Sequence, residues 1–304
     1  MNTAPATSTR SGILLVDKPQ GITSHGVVAR TRKAAGTRKV GHAGTLDPMA
    51  TGLLVLGINS STRLLTYLVG LDKEYLATIR LGASTSTDDA EGETVATADA
   101  ASITPEQIEA GIAPLRGPIE QVPSSVSAIK VDGKRAYALV RGGETVELKS
   151  RAVTISAFEV LAVRTEGTFT DVDVRVECSS GTYIRALARD LGATLAVGGH
   201  LTALRRTRIG PFAIADAAEL DDLAPDTQLL APAAVAAALF PTFDASAQEV
   251  TDLVHGKRIT VPALAGAEGP IAPLAPDGRL VGLLIVTGDV ARPLVNFPSD
   301  EVTA

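Results

Sequence analysis

One aspartate lies where the chain could present a carboxylate for catalysis. Asp47 falls in the segment GHAGTLDPMATG, with Gly41 and Gly44 before it and Pro48 directly after it. Glycine lets a backbone adopt positive φ or approach a ligand closely, and proline keeps the preceding residue extended. A carboxylate on such a rigid turn can act as a nucleophile or a general base, although an aspartate that only caps a turn gives the same local pattern.

The segments around this loop predict regular elements that would hold it. The apolar run Leu53 to Ile58 follows the loop and predicts a buried strand, and Gly12 to Asp17 predicts another strand before it. Thr23 or Ser24 is suited to cap a helix that would stop at Gly36.

Downstream, strands and helices are expected to separate into a sheet and its flanking layers. Residues 74–81 alternate as a strand would, with Tyr75 on the apolar side, and residues 84–99 lack periodicity and predict a loop or a mobile excursion. Thr104 predicts a helix start with a capping box. A helix over about 182–195 and a strand over 200–209 follow. The pattern predicts an α+β fold with a mixed, largely antiparallel sheet.

Composition favours a folded protein without disulfides. Of the 304 residues, 45% are hydrophobic, and Cys178 is the one cysteine, which excludes an internal disulfide and suits a reducing compartment. The polar start of the chain predicts no signal peptide, and no segment predicts a membrane span. We therefore expect a cytoplasmic protein. The four histidines show no zinc-like spacing, so no metal site is predicted.

The net charge of −6 is unevenly distributed along the chain. Residues 1–80 carry ten Lys or Arg against four Asp or Glu, and residues 125–210 carry thirteen against nine. Residues 81–124 and 211–304 are strongly acidic. A positive face for a nucleic acid on an acidic body is one interpretation, and a chance distribution of surface charge is the other.

Five ordered motifs carry a resemblance to a known family. Over roughly residues 11–210 the chain resembles the bacterial TruB family, the tRNA pseudouridine synthases acting at position 55 of the T loop. The motifs are LLVDKPQGITS from Leu14, the Asp47 segment GHAGTLDPMATG, DKEY from Asp72, PSSVSAIK from Pro123 and CSSGTYIR from Cys178.

The resemblance implies a catalytic domain over residues 1–240 with the pseudouridine synthase fold. Residues 241–304 predict a small PUA-like RNA-binding β module, in which Asp277-Gly278 suits a hairpin turn. The implied activity is isomerisation of uridine 55 in the tRNA T stem-loop by base flipping, without a cofactor or guide RNA, by a monomer. Rivals are a synthase for ribosomal RNA, a tRNA-folding chaperone without activity, and a nucleoside hydrolase.

The resemblance also implies roles for individual residues. Asp47 matches the catalytic aspartate, which could attack the anomeric carbon or abstract a sugar proton. Arg185 matches the arginine that pairs with that carboxylate and keeps it ionised. Tyr75 matches the tyrosine that stacks on the isomerising base, and Tyr183 and Leu204 match other walls of the pocket. For these last two, ordinary core packing is the alternative.

Three further substrate-binding residues are expected. His42 matches the histidine that occupies the space of the flipped nucleotide. Lys18 and Lys130 resemble motif lysines near the site, with a solvated surface lysine as the alternative. Residues Arg205, Arg206 and Arg208 follow Leu204 closely and are candidates for phosphate contacts.

Overall fold

The computed structural model describes residues 10–124, 130–131, 134–135 and 149–297, with the backbone alone for residues 130–131 and 134–135. The chain divides into two compact units. The first comprises Met1–Pro48, Gly52–Val69 and Pro211–Ala304, and the second comprises Met49–Thr51 and Gly70–Gly210. The domain boundary at residue 240 stays a prediction.

The described residues form short helices and many strands. The strands are β1 Gly12–Lys18, β2 Val40–Ala43, β3 Thr51–Ile58, β4 Lys73–Leu81, β5 Ala83–Thr85, β6 Thr94–Thr97, β7 Gly117–Gln121, β8 Lys130–Val131, β9 Lys134–Arg135, β10 Arg151–Glu166, β11 Phe169–Cys178, β12 Gly199–Ile209, β13 Phe212–Ala213, β14 Ala218–Glu219, β15 Thr242–Asp244, β16 Ile259–Thr260, β17 Ala272–Leu274, β18 Gly282–Thr287 and β19 Val290–Asn296.

The α-helices are α1 Ser24–Ala34, α2 Leu65–Val69, α3 Pro105–Ile112, α4 Ile184–Thr194, α5 Pro225–Gln228, α6 Pro232–Leu239 and α7 Ala247–Val254. The 3-10 helices are Asn59–Leu64, Ala113–Leu115, Ile214–Asp216, Leu220–Asp222 and Pro262–Leu264. Among the described residues, no helix is long and apolar enough to cross a membrane.

In the first unit, β1 pairs with β3 in an antiparallel ladder and with β14 in a parallel one, and β2 lies antiparallel to β3. Both β1 and β3 are almost wholly buried, as their apolar runs predict. Helix α1 covers this sheet through Val27 and Val28, which join the strand side chains in one core cluster. The Thr23 hydroxyl caps the helix by accepting from the Gly26 amide at 3.0 Å.

The C-terminal part of the first unit forms a small β module. Strands β16, β19 and β18 make a three-stranded antiparallel sheet, and β15 pairs with β17 in parallel. Helix α7 packs its buried Val250 and Leu253 against buried side chains of this module, which form a separate core cluster. Ser246 and Glu249 close a capping box at the helix start, which satisfies amides that would otherwise lack acceptors.

In the second unit, five antiparallel strands lie in the order β12, β4, β11, β10, β7. Strand β4 is central, and its buried side chains alternate along one face as the sequence predicts. The capping box at Thr104 is also confirmed, because its side chain and that of Gln107 each bond the backbone of the other. The α+β class with flanking helices is therefore correct.

The acidic segment of the second unit differs from the expectation. Residues 84–99 were expected to form a loop or a mobile excursion, but β5 and β6 pair as an antiparallel hairpin. Asp89 organises the turn between them: its side chain accepts from the Glu91 amide at 3.0 Å, and its carbonyl accepts from the Thr85 hydroxyl at 2.7 Å. Local hydrogen bonds of this kind leave no hydrophobic periodicity, so the pattern could not predict them.

Candidate active site

Asp47 lies partly exposed in the turn between β2 and β3, and helix α1 fixes the residue before it. Ser24, the first residue of α1, accepts from the Leu46 amide at 2.9 Å and donates to the Leu46 carbonyl at 3.0 Å. Both Ser24 and Leu46 are buried. One hydroxyl therefore pairs both backbone groups of the residue that precedes Asp47.

The residue after Asp47 is fixed as well. The Pro48 carbonyl accepts from the Gly21 amide at 2.8 Å and from the Lys18 ammonium at 3.3 Å. Lys18 is fully buried and also donates to the carbonyls of Pro19 and Ile22, at 3.1 and 2.7 Å. The structure thus places Lys18 against the backbone of the Asp47 turn, and its predicted contact with substrate stays a prediction.

Of the two glycines that precede Asp47 in its motif, Gly44 has a positive φ, whereas Gly41 lies in β2 without one. Gly44 has a φ of +81° and Gly52 a φ of +102°, which side-chain-bearing residues rarely adopt. Asp47 therefore sits in a turn with left-handed glycines on both sides. Residues Met49–Thr51 come directly after Pro48 and belong to the second unit.

His42 lies on β2, opposite Leu56 of β3, in the same loop region of the first unit. Its ring meets the ring of His25 edge to face, with centroids 5.5 Å apart and an interplanar angle of 84°. His25 comes from α1, and sequence reasoning gave it no role. The two histidines of this pair therefore come from β2, the strand before the Asp47 turn, and from α1, the helix that fixes Leu46.

In the second unit, Tyr75 and Leu204 share one face of the sheet. Tyr75 of β4 lies opposite Arg206 of β12, and Leu204 lies opposite Ala77. Directly opposed residues point to the same face, and Tyr75 and Ala77 are both on the buried face of β4. The structure thus brings two predicted pocket walls and the buried Arg206 side by side.

A buried lysine and cysteine lie at the end of this face. Lys73 is opposite Cys178 of β11, and its ammonium donates to the Leu71 carbonyl. Burial lowers the pKa of Lys73 from 10.5 to about 8, and the nearby positive charge of Arg206 is the second largest cause of this shift. Burial raises the pKa of Cys178 to about 11, so the thiol stays protonated at neutral pH. Sequence reasoning assigned neither residue a role.

Arg185 is the second residue of α4 and makes a buried ion pair that the sequence did not predict. Its guanidinium lies 3.3 Å from Asp89 and donates to the Thr87 carbonyl at 2.8 Å. The two charged side chains are only 5% and 4% exposed. Asp89 was missed because it lies in the segment read as a loop. The pairing of Arg185 with Asp47 stays a prediction.

Tyr183 directly precedes α4 and is held from two sides. The buried Gln121 side chain accepts from the Tyr183 amide at 2.8 Å and donates to the Tyr183 carbonyl at 3.1 Å. The Arg151 guanidinium lies 5.8 Å from the centroid of the Tyr183 ring. Neither neighbour was predicted, because both contacts join segments that are distant in sequence.

Family models match most of the chain. The model of the TruB family pseudouridylate synthase (N terminal domain) matches residues 32–184, which include Asp47 and Tyr75. The chain belongs to the TruB family. The models of the tRNA pseudouridylate synthase B C-terminal domain and of tRNA Pseudouridine synthase II, C terminal, match residues 185–240 and 240–298.

Bacterial relatives match this TruB chain over almost its full length. It is 60% identical to tRNA pseudouridine synthase B of Leifsonia xyli subsp. xyli over 296 residues, covering 96% of this chain and 98% of the relative. The enzyme of the same name from Thermobifida fusca is 54% identical and covers 94% and 98%. By fold and family the chain is a pseudouridine synthase, an isomerase.

Solved structures agree on the fold. A Cbf5-Nop10-Gar1 complex contains a chain that superposes with a TM-score of 0.71 at 27% identity, covering 95% of this chain and 86% of that one. The archaeal box H/ACA sRNP Nop10-Cbf5 complex gives a TM-score of 0.69 at 26% identity. The expected pseudouridine synthase fold is confirmed.

The described part of this TruB chain offers carboxylates but no metal centre. Among those residues, no group of three or more His, Cys, Asp or Glu could hold a metal ion. The side chain of Lys130 lies outside the described residues. Asp47 is partly exposed on a fixed turn of the first unit, and the second unit carries the aromatic and guanidinium groups described above.

Proposed function

We propose that this TruB chain isomerises uridine 55 in the T loop of tRNA to pseudouridine, with Asp47 as the catalytic residue. The name and full-length similarity of the bacterial relatives support tRNA as the substrate. The observation that carries the assignment of Asp47 is its turn, in which Ser24 and Lys18 fix the residues on either side. A catalytic group must be held in position, and this turn does so.

The reaction breaks the bond from C1′ to N1, turns the base, and joins C1′ to C5. The C5 proton leaves and N1 gains one, so the product is an isomer and no oxidant or group donor is needed. The Asp47 carboxylate can attack C1′ to form a glycosyl ester, or it can abstract a ribose proton to give an unsaturated sugar. Both routes require an ionised Asp47 at the ribose.

We assign the other site residues to the flipped nucleotide. Arg185 keeps Asp47 ionised, because an opposite charge within about 4–6 Å favours the charged form of a carboxyl group. Tyr75 stacks on the isomerising base, and Tyr183 and Leu204 form further walls. His42 fills the space that the flipped base leaves, which lowers the cost of unstacking.

We infer that basic residues guide the RNA to this site. Lys18 affects substrate binding indirectly, because it holds the backbone of the Asp47 turn. Lys130, Arg205 and Arg208 contact phosphates directly. The net positive charge of residues 1–80 and 125–210 supports such contacts.

We also propose that residues 241–304 act as a PUA-like RNA-binding module. Although this part of the chain is acidic, Arg258 and Arg292 line one pocket together with Thr287 and Val290. The chain acts as a monomer in the cytoplasm, without guide RNA or partner proteins.

The test is incubation of the purified chain alone with an unmodified tRNA transcript, followed by chemical adduct formation and primer extension. A single stop at uridine 55 is expected, and a transcript with cytidine at that position serves as the matched control. A stop elsewhere in tRNA would contradict the position. Modification of a ribosomal RNA transcript alone, or activity only after a guide RNA is added, would contradict the substrate or the stand-alone mode.

A further inference from the structure

Arg151, the first residue of β10, holds its charge against the Tyr183 ring. It lies opposite Gln121 of β7, the residue that bonds the Tyr183 backbone. A guanidinium within about 6 Å of an aromatic centroid is attracted by the ring electrons. Two paired residues on neighbouring strands therefore hold Tyr183, one at its backbone and one at its ring.

Arg151 differs from most of the other described arginines of the second unit in its polar contacts. Seven of them make ion pairs with carboxylates, namely Arg80, Arg116, Arg164, Arg175, Arg185, Arg189 and Arg208. Within the described residues, Arg151 makes no ion pair, and its Nε is buried without a hydrogen-bond acceptor. A buried donor without an acceptor is rare in folded proteins and calls for an explanation.

A glycine lies beside the Arg151 guanidinium. Gly181 has a φ of +88°, and a Cβ added there would lie 3.9 Å from Arg151 Nη1, an ordinary contact distance, with no other heavy atom of the described residues within 4 Å. The side chain of Arg151 is itself partly exposed. Among the described residues, Arg151 Nη1 therefore has space beside it next to the CSSGTYIR turn, where a ligand can approach.

We propose that Arg151 binds a phosphate group of the substrate RNA. A guanidinium stays charged at every physiological pH and presents a planar fork of donors that matches phosphate oxygens. Phosphate contacts fix the register of a nucleic acid on a protein, and this one would anchor the strand beside the Tyr183 wall. The proposal rests on the proposed function, since it takes RNA as the ligand.

The experiment measures the affinity of an unmodified tRNA transcript for Arg151→Met and Arg151→Gln over about 50 to 200 mM KCl. We expect both variants to bind about tenfold more weakly at the lowest salt, and their log–log salt slopes to be shallower by about one. Turnover at saturating tRNA should fall by a smaller factor than the affinity, because the lost contact is to a phosphate and not to the reacting atoms. Circular dichroism melting checks the fold of each variant.

Arg164→Met is the matched control, because Arg164 lies on the same strand but pairs with Asp173 and is half exposed. It should change neither affinity nor slope. Unchanged salt slopes in both Arg151 variants, or a loss confined to turnover, would overturn the proposal and leave Arg151 as a support for Tyr183. Failure of the proposed function would show separately, as absence of pseudouridine in tRNA treated with the unchanged protein.

Discussion

At the scale of single residues, the buried pair of Arg185 and Asp89 is an electrostatic constraint in the second unit. Both side chains are almost fully buried, so their charges interact with little screening. Removing one member of a buried pair leaves a desolvated charge with fewer partners. Asp89 therefore has a structural role, and if Arg185 acts as proposed, the loss of Asp89 should also affect turnover.

Asp89→Asn should lower the free energy of unfolding by roughly 3 kcal/mol and reduce turnover. Urea denaturation and a pseudouridine assay measure the two effects. Asp221→Asn is the matched control, because Asp221 pairs with Arg30 at 2.7 Å but the two side chains are 88% and 54% exposed. An exposed pair contributes about 0–1 kcal/mol, so similar losses in both variants would contradict the prediction.

Lys73 predicts a pH dependence of stability. Burial lowers its pKa to about 8 from an ordinary 10.5, so above about pH 8 the unfolded chain binds more protons at this site than the folded protein. The contribution of Lys73 to the free energy of unfolding therefore rises with pH. The raised pKa of Cys178 has the opposite effect, but only above its ordinary value of 9.0.

Lys73→Met should remove this dependence. From about pH 7 to about pH 9, the free energy of unfolding of the unchanged protein should rise by about 1 kcal/mol relative to the variant. Urea denaturation of both proteins at the two ends of this range gives the difference. A difference that stays constant with pH would show that Lys73 does not titrate in this window.

At the scale of elements, helix α1 positions the Asp47 turn through Ser24. The hydroxyl bonds both backbone groups of Leu46, so the turn cannot move without breaking two buried hydrogen bonds. Small displacements of a catalytic group cost rate far more than they cost stability. Ser24 is thus expected to affect chemistry more than RNA binding.

Ser24→Ala should reduce turnover about ten- to a hundredfold and the free energy of unfolding by about 1–2 kcal/mol, with tRNA affinity little changed. Single-turnover kinetics and denaturation measure these effects. Thr31→Val is the matched control, since Thr31 is a buried hydroxyl of the same helix that donates only to the Val27 carbonyl, at 3.0 Å. The Thr31→Val variant should have a lower free energy of unfolding but an unchanged turnover. Equal turnover losses would contradict a specific role of Ser24.

The elements also show what the sequence could predict. Strand β4 was predictable from the alternation of its side chains, and α3 from its capping box, because these signals are local. The hairpin of residues 83–97 was not, since Asp89 orders it by hydrogen bonds that leave no periodicity. The contacts of Ser24 and Gln121 were equally hidden, because each joins segments brought together only by folding.

At the scale of the whole molecule, charge is the property that bears on RNA binding. The chain has a net charge of −6, but residues 1–80 and 125–210 are both basic. Only local positive charge attracts a polyanion, and each phosphate contact releases condensed cations. The net charge of the protein is therefore a poor guide to its affinity for RNA.

The affinity for tRNA should fall steeply as salt is added. About five phosphate contacts would reduce it roughly a hundredfold between about 50 and 200 mM salt. A filter-binding titration across that range measures the slope. A flat titration would show that the basic segments do not contact phosphates.

The most direct test is tritium release from tRNA labelled at C5 of its uridines, under single-turnover conditions, for the unchanged protein and for Asp47→Asn. Because Ser24 and Lys18 hold the turn through its backbone, the substitution should leave tRNA affinity within about threefold and reduce the rate on the order of 10⁴-fold. Tritium release by Asp47→Asn within about tenfold of the unchanged protein, with pseudouridine formed at position 55, would contradict a catalytic role for Asp47.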